Sequence, residues 1–145
     1  MSNQEKPIIN VRFTKEPYEI ERHGICWDLK AVEDHEYKQG DFFYIDLGVN
    51  MKLPENHGGI LAPRSSLFKN HGLLQVNSVG FIENDYCGNA DIWMLPVYAT
   101  RDGKIEAGER VAQFTPIKYY PDVDFNEVED METESRGGFG STGTK

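Results

Sequence analysis

Apolar residues in this chain recur at every second position in short runs, and no run longer than a turn or two carries the 3.6-residue spacing of a helix. The clearest alternation is Asp41-Phe42-Phe43-Tyr44-Ile45-Asp46-Leu47, followed beyond Gly48 by Val49, Met51 and Leu53. Two strands joined near that glycine are predicted. Residues 8–13 predict a first strand, and 59–62, 72–76, 92–99 and 110–117 predict the others. Turn signals separate them at short intervals: Pro54-Glu55-Asn56, Lys69-Asn70-His71-Gly72, Arg101-Asp102-Gly103-Lys104 and Glu106-Ala107-Gly108-Glu109. Many short strands with polar turns imply an all-β sandwich or barrel. Residues 65–70 are expected to form one short helical turn, and residues 1–7 to be disordered.

The pattern divides the chain. Residues 1–120 hold the predicted β body; 121–135 crowd Asp122, Asp124, Glu127, Glu129, Asp130, Glu132 and Glu134 together with no basic residue; 136–145 are rich in glycine. The acidic stretch reads as a solvated arm, and its interspersed Val123, Phe125 and Val128 suit an edge strand added to a neighbouring subunit. With 145 residues and 39% hydrophobic content the chain can fill one modest core. A net charge of −9 argues against a nucleic-acid partner, and no run approaches the roughly 20 apolar residues of a membrane span. The start MSNQEKP lacks a signal-peptide core, so a cytoplasmic protein is expected, with Cys26 and Cys87 as free thiols. His23, His35, His57 and His71 stand singly and suggest no metal cluster.

Candidate chemistry lies in four places. In the tail, Arg136 offers a guanidinium fork for phosphate oxygens, Gly137, Gly138 and Gly140 allow close backbone approach, Phe139 offers a flat apolar face, and Ser141 and Thr142 offer hydroxyls. A frayed terminus is the ordinary alternative. Asp28 is a lone acid among apolar residues, a reading shared with any turn cap or ion-pair partner. Pro63-Arg64-Ser65-Ser66 reads as a phosphate cradle or as a simple Ser N-cap. Residues 77–88 look like a hairpin whose backbone can read a base edge, with Tyr86 against a sugar; a β-turn with solvated acids explains the same residues.

In this order the segments resemble the five motifs of the homotrimeric dUTPase family, the deoxyuridine triphosphate nucleotidohydrolases. The motifs are Trp27-Asp28-Leu29-Lys30-Ala31, Pro63-Arg64-Ser65-Ser66, Asn77 through Gly88, Gly108-Glu109-Arg110-Val111-Ala112-Gln113 and Arg136 through Gly143. Asn77-Ser78-Val79-Gly80 and the ending from Gly140 to Lys145 look most like the phage and prophage branch from Gram-positive bacteria. The resemblance implies a jelly-roll β subunit in a homotrimer, with each site shared by three chains and closed by a flexible C-terminal arm. It implies a magnesium-assisted attack of water on the α phosphorus of dUTP, giving dUMP and pyrophosphate. By motif match, Asp28 would hold the metal through water in the outer shell, Ser65 and Ser66 would contact the inner phosphates, Gln113 would lie beside the α phosphate, and Arg64 would brace the site. Arg136, Gly140, Ser141 and Thr142 would clasp the γ phosphate under Phe139. Asn77 and Gly80 would pair with uracil, with Tyr86 against the deoxyribose.

One departure bears on catalysis. The family usually has aspartate as general base in the third motif, and Glu83 stands there in this chain, with Asp85 as the alternative carboxylate. Residues 25–27 before Asp28 also differ. Glu83 therefore motivates a second reading: a weak or inactive dUTPase-like protein that senses nucleotide or engages a host regulatory partner. A third, the related dCTP deaminase, is disfavoured by the intact tail and hairpin. If the tail is a lid, a chain ending at Ser135 keeps its assembly and loses dUTP hydrolysis, as read by pyrophosphate release and sedimentation; unchanged turnover would remove the lid role.

Overall fold

A computed structural model describes residues 5–138. In chain order the elements are β1 (Asn10–Phe13), β2 (Glu21–His23), β3 (Cys26–Lys30), β4 (His35–Tyr37), β5 (Phe42–Asp46), β6 (Val49–Lys52), β7 (His57–Pro63), α1 (Leu67–His71), β8 (Leu73–Gln75), β9 (Gly80–Ile82), β10 (Met94–Ala99), β11 (Gly103–Ile105) and β12 (Arg110–Lys118). Every strand pair is antiparallel. The largest sheet runs β2-β3-β12-β7-β9, a second runs β5-β10-β8, and β1-β6 and β11-β4 form two-stranded ribbons. The arrangement is all-β, as the alternation predicts. No helix among the described residues is long and apolar enough to cross a membrane.

The predicted strands appear with trimmed or extended ends, and the expected helical turn is α1. Strands β2, β3, β4, β9 and β11 were not predicted; β3 and β9 lie in segments read for their candidate chemistry, and the other three carry little apolar signal. β2 (Glu-Arg-His) is exposed throughout, and β4 (His-Glu-Tyr) and β11 (Gly-Lys-Ile) bury one residue each. Their pairing partners, not their own patterning, make them strands. Residues 119–138 contain no strand and are exposed almost throughout.

The core is drawn from the inward positions of both larger sheets. Ile45 on β5, Leu95 and Val97 on β10, Leu61 on β7, Leu29 on β3 and Phe114 on β12 are buried around a fully buried Trp93. Trp93 meets Phe114 edge to face, with centroids 5.3 Å apart, the arrangement that aromatic quadrupoles favour. Glycine matters at Gly48, where the chain passes from β5 to β6 at φ +67 and a Cβ would run into Val32.

Tyr18 ties the β1-β2 connection to this body. Its hydroxyl donates to the Leu47 carbonyl at 2.9 Å and accepts from the Lys30 amide at 2.7 Å. Burial pushes the phenol from its ordinary 10.0 up to about 12. The neutral form is thus the one the fold favours, so its contribution is complete below pH 10 and is lost as pH rises toward about 12. Tyr18→Phe leaves the Lys30 amide without its acceptor and is expected to cost about 1–3 kcal/mol in urea unfolding. The variant should also flatten the stability decline between pH 10 and 12; an unchanged decline would place its origin elsewhere.

Candidate functional site

Three of the candidate segments meet on the large sheet because β12 pairs with β3 on one side and β7 on the other. Gln113 lies opposite Asp28 in one ladder and opposite Ala62 in the other. Pro63 ends β7, and Arg64, Ser65 and Ser66 turn into α1 beside the same row. Gln113 donates from Nε2 to the Pro63 carbonyl at 3.0 Å, and the Arg64 amide donates to the Val111 carbonyl at 3.3 Å. The first, second and fourth motif segments thus form one corner.

Asp28 is the centre of that corner. It is only 2% exposed, and its Oδ2 lies 3.3 Å from Arg64 Nε, 3.4 Å from His23 Nε2 and 3.6 Å from Arg110 Nη1. A buried carboxylate stays charged only where cations stand close. These contacts are Coulombic, since Oδ2 accepts no hydrogen bond from the described residues. Arg110 Nη1 also lies 3.0 Å from His23 Nε2, and the two guanidiniums are the permanent cations beside Asp28. Arg110 also reaches Glu21 Oε2 at 3.3 Å. Sequence reasoning assigned neither Arg110 nor His23 a role. Arg110 was within the quoted fourth segment, whereas His23 carried no signal, because only the β2-β3 hairpin brings it beside Asp28.

Ser66 is the N-cap of α1, yet its side chain makes no capping hydrogen bond. The simple capping explanation of this segment therefore fails, and the hydroxyl is not spent on the helix. Ser65 is exposed and Ser66 half-buried.

The third segment builds a separate cleft. Asn77, Gly80, Glu83, Asp85 and Tyr86 line a space of about 450 Å³ together with Tyr44, Trp93 and Met94. Its geometry starts in a tight turn, where the Val79 amide donates to the Asn77 carbonyl at 2.7 Å and Ser78 holds φ 64. A non-glycine residue in that region is strained, and such strain persists where the surroundings fix it. Gly80 then opens β9 opposite Leu61. Glu83 is exposed, with its backbone held by its neighbour: Asn84 Nδ2 donates to the Pro54 and His57 carbonyls, both at 2.9 Å. Tyr86 donates its hydroxyl to the Ile92 carbonyl at 2.9 Å, and burial together with the Asp91 charge raises its pKa. The ring is thereby fixed at the cleft with its polar end satisfied. Asn84, Tyr44, Trp93 and Met94 were not singled out from sequence; Tyr44 comes from β5, distant in the chain, and Trp93 and Met94 from the start of β10.

Asp28, Arg64, Ser65, Ser66 and Gln113 do not line this cleft. One chain therefore presents two half-sites: a charged corner and a mostly apolar cleft. Arg136 is exposed at the end of the arm, and Phe139, Gly140, Ser141 and Thr142 lie outside the described residues.

A small all-β chain with an apolar, hydrogen-bonding cleft and a guanidinium-rich corner has the parts of a nucleotide-phosphate enzyme. The chain belongs to the dUTPase family, whose model matches residues 21–143. It is 48% identical over 118 residues to the SPbeta prophage-derived deoxyuridine 5'-triphosphate nucleotidohydrolase YosS of Bacillus subtilis, covering 81% of this chain and 83% of that one. Its fold matches the dUTPase of Staphylococcus bacteriophage 80alpha solved with dUPNHPP, at TM-score 0.72 and 22% identity over 94% of this chain and 99% of that one. A mutant dUTPase from phage phi11 of S. aureus, described with a coordinated structural Mg(II) ion, matches at TM-score 0.70 and 18% identity over 87% and 99% of the two chains. The subunit fold is the jelly-roll-like one of these dUTPases.

Replacing Asp28 by Asn removes the charge that the two guanidiniums surround. Because Arg64 and Arg110 both reach solvent, the expected cost is about 1–3 kcal/mol of unfolding free energy rather than the full penalty of a buried unpaired ion. Denaturant titration of Asp28→Asn checks this, and wild-type stability would show that charge balance does not order the corner.

Proposed function

We infer that this enzyme hydrolyses dUTP to dUMP and pyrophosphate, limiting uracil in DNA and supplying dUMP for thymidylate synthesis. The observation that carries the reading is the division of labour between the two half-sites in a chain of this family: the cleft suits an uncharged base and deoxyribose, the corner a polyanion. Their separation within one chain supports a site completed by a second copy, and a closed homotrimer lets every copy supply both halves equivalently.

In this reading Asn77 and the strained turn pair with the uracil edge. Cytosine, with donor and acceptor reversed, would leave buried groups unpaired. Tyr86, fixed through Ile92, lies along the deoxyribose and disfavours a 2′-hydroxyl. Glu83 accepts a proton from the attacking water as it approaches the α phosphorus, and Asn84 holds the turn that aims it. Arg64 stands beside the phosphates with Ser65, Ser66 and Gln113 supplying donors. Arg136, with Gly140, Ser141 and Thr142, clasps the γ phosphate under Phe139.

Magnesium fits the residues present in an outer-shell role. No cluster of three or more His, Cys, Asp or Glu forms an inner-sphere cage among the described residues. The buried Asp28 Oδ2 accepts no hydrogen bond from them, so it is a suitable acceptor for a water of a metal carried mainly by phosphate oxygens. When bound, the ion would neutralise charge on the triphosphate.

Glu83 also underlies the second reading, a nucleotide-binding protein of weak turnover, and Asp85 lines the same cleft as a possible substitute base. A panel of dUTP, dCTP, dTTP and UTP assayed for pyrophosphate separates these. Glu83→Gln is expected to lower kcat by about 10²–10⁴ with KM little changed. Wild-type turnover no faster than this variant would transfer catalysis away from Glu83. Mixing Glu83→Gln with Asp28→Asn chains under subunit exchange should recover about a quarter of wild-type activity, since random assembly leaves that share of shared sites intact. No recovery would show that one copy supplies both carboxylates.

A further inference from the structure

A polar side chain is buried on the outward side of β6. Val49 and Met51 turn into the core, so strand alternation points Asn50 away from it, yet Asn50 is only 4% exposed. What covers it is the loop after Tyr86. Asn50 Nδ2 donates to the Gly88 carbonyl at 3.0 Å and to the Asn89 carbonyl at 3.3 Å. Its Oδ1 accepts from Arg12 Nη1 at 2.7 Å, and Arg12 stands directly opposite Asn50 in the β1-β6 ladder. A guanidinium only donates and a carbonyl only accepts, so the amide is held in one orientation.

The loop held in this way carries one wall of the cleft. Tyr86 at its start and Ile92 and Trp93 at its end all line that space, and the Tyr86 hydroxyl donates to the Ile92 carbonyl across the loop. Between these ends the bonding is internal. The Gly88 amide donates to Asp91 Oδ2 at 2.9 Å, and the Asp91 amide donates to the Gly88 carbonyl at 3.0 Å. A loop bonded chiefly to itself moves as a unit unless something ties it down. Among the described residues, the hydrogen bonds that join residues 87–91 to the β body are the two from Asn50.

The tie is strengthened from outside the motif segments. A bond from a charged donor is stronger than one between neutral groups, and this one comes from β1, which none of the five segments includes. Arg12 fixes the amide of Asn50, Asn50 fixes the loop, and the loop fixes the ring of Tyr86. Neither Arg12 nor Asn50 lines the cleft.

We propose that Arg12 and Asn50 are positioning residues for sugar selection, holding the 86–92 loop so that Tyr86 stays close enough to the sugar to exclude a 2′-hydroxyl. The inference rests on reading the cleft as a deoxyuridine site and deepens it with a residue pair from β1 and β6. The turn at residues 77–80 is built separately, by the bonds from the Val79 amide to the Asn77 carbonyl and from the Ser78 amide to the Gln75 carbonyl. The pair therefore governs deoxyribose against ribose, and not uracil against cytosine.

Three full-length variants test this. Asn50→Asp keeps the size and the Arg12 contact but puts an acceptor where the loop carbonyls need a donor. Arg12→Met removes the guanidinium at an exposed position, and Arg12→Lys keeps a cationic donor there. The ratio of kcat/KM for dUTP to that for UTP is expected to fall at least about tenfold in Asn50→Asp and about threefold in Arg12→Met, with Arg12→Lys within about twofold of the unsubstituted enzyme. The dUTP-to-dCTP ratio should stay within about twofold in all three. An unchanged dUTP-to-UTP ratio overturns the proposal, and so does a parallel fall in both ratios, the mark of a general loosening of the fold. Arg12→Met carries the test if Asn50→Asp does not fold. Hydrogen exchange reads the tie without nucleotide: the Gly88 and Asp91 amides should exchange at least about tenfold faster in Asn50→Asp, and equal rates overturn the anchor. If the unsubstituted protein fails to hydrolyse dUTP, the hydrolytic reading falls, while affinities for dUMP, UMP and dCMP give the same two ratios and still decide the positioning role.

Discussion

A carboxylate buried to the extent of Asp28 stays charged only with cations beside it, and Asp28 has them because β12 is zipped to β3 and β7 at once. The two ladders set Arg64, at the end of β7, and Arg110, at the start of β12, on either side of it. Shifting the β3-β12 register by one residue would send Asp28 to the other face of the sheet and leave the guanidiniums without the carboxylate between them. The buried ion is thus held by sheet geometry, and its charge in turn disfavours any other register.

In the proposed reading that corner also reconciles a chain of net charge −9 with a polyanionic substrate. Overall charge acts at long range and is screened beyond about 8–10 Å in physiological salt. Two guanidiniums at the ends of inner strands act at contact distance. In the proposed reading the base and sugar need no such help, and the cleft is built from different parts: a strained turn at Ser78, a glycine that opens β9 opposite Leu61, and a tyrosine whose hydroxyl is already satisfied.

Legibility of the fold followed burial. Strands with one face in the core, such as β5, β6, β10 and β12, show their alternation openly because every second residue has to be apolar. β2 and β11 do not, since what holds them is a ladder to a remote partner: Gly103 to Tyr37 across β11-β4, Glu21 to Asp28 across β2-β3. The same holds for the site. Asp28, Arg64, Gln113 and Tyr86 stand in recognisable local segments, whereas His23 reaches Asp28 by a hairpin, and Tyr44 reaches the cleft from a strand distant in the chain.

The sequence by itself determined the β class, the acidic arm, the glycine-rich tail and the family, because each depends on residue type and near-neighbour spacing. Only the tertiary structure decided that the motifs divide into a corner and a cleft, and that Ser66 leaves its hydroxyl free of capping. It also decided which cations neutralise Asp28. Those outcomes rest on ladder register and on side chains far apart in the chain, and no local pattern encodes a distance between strands that meet only when the sheet closes.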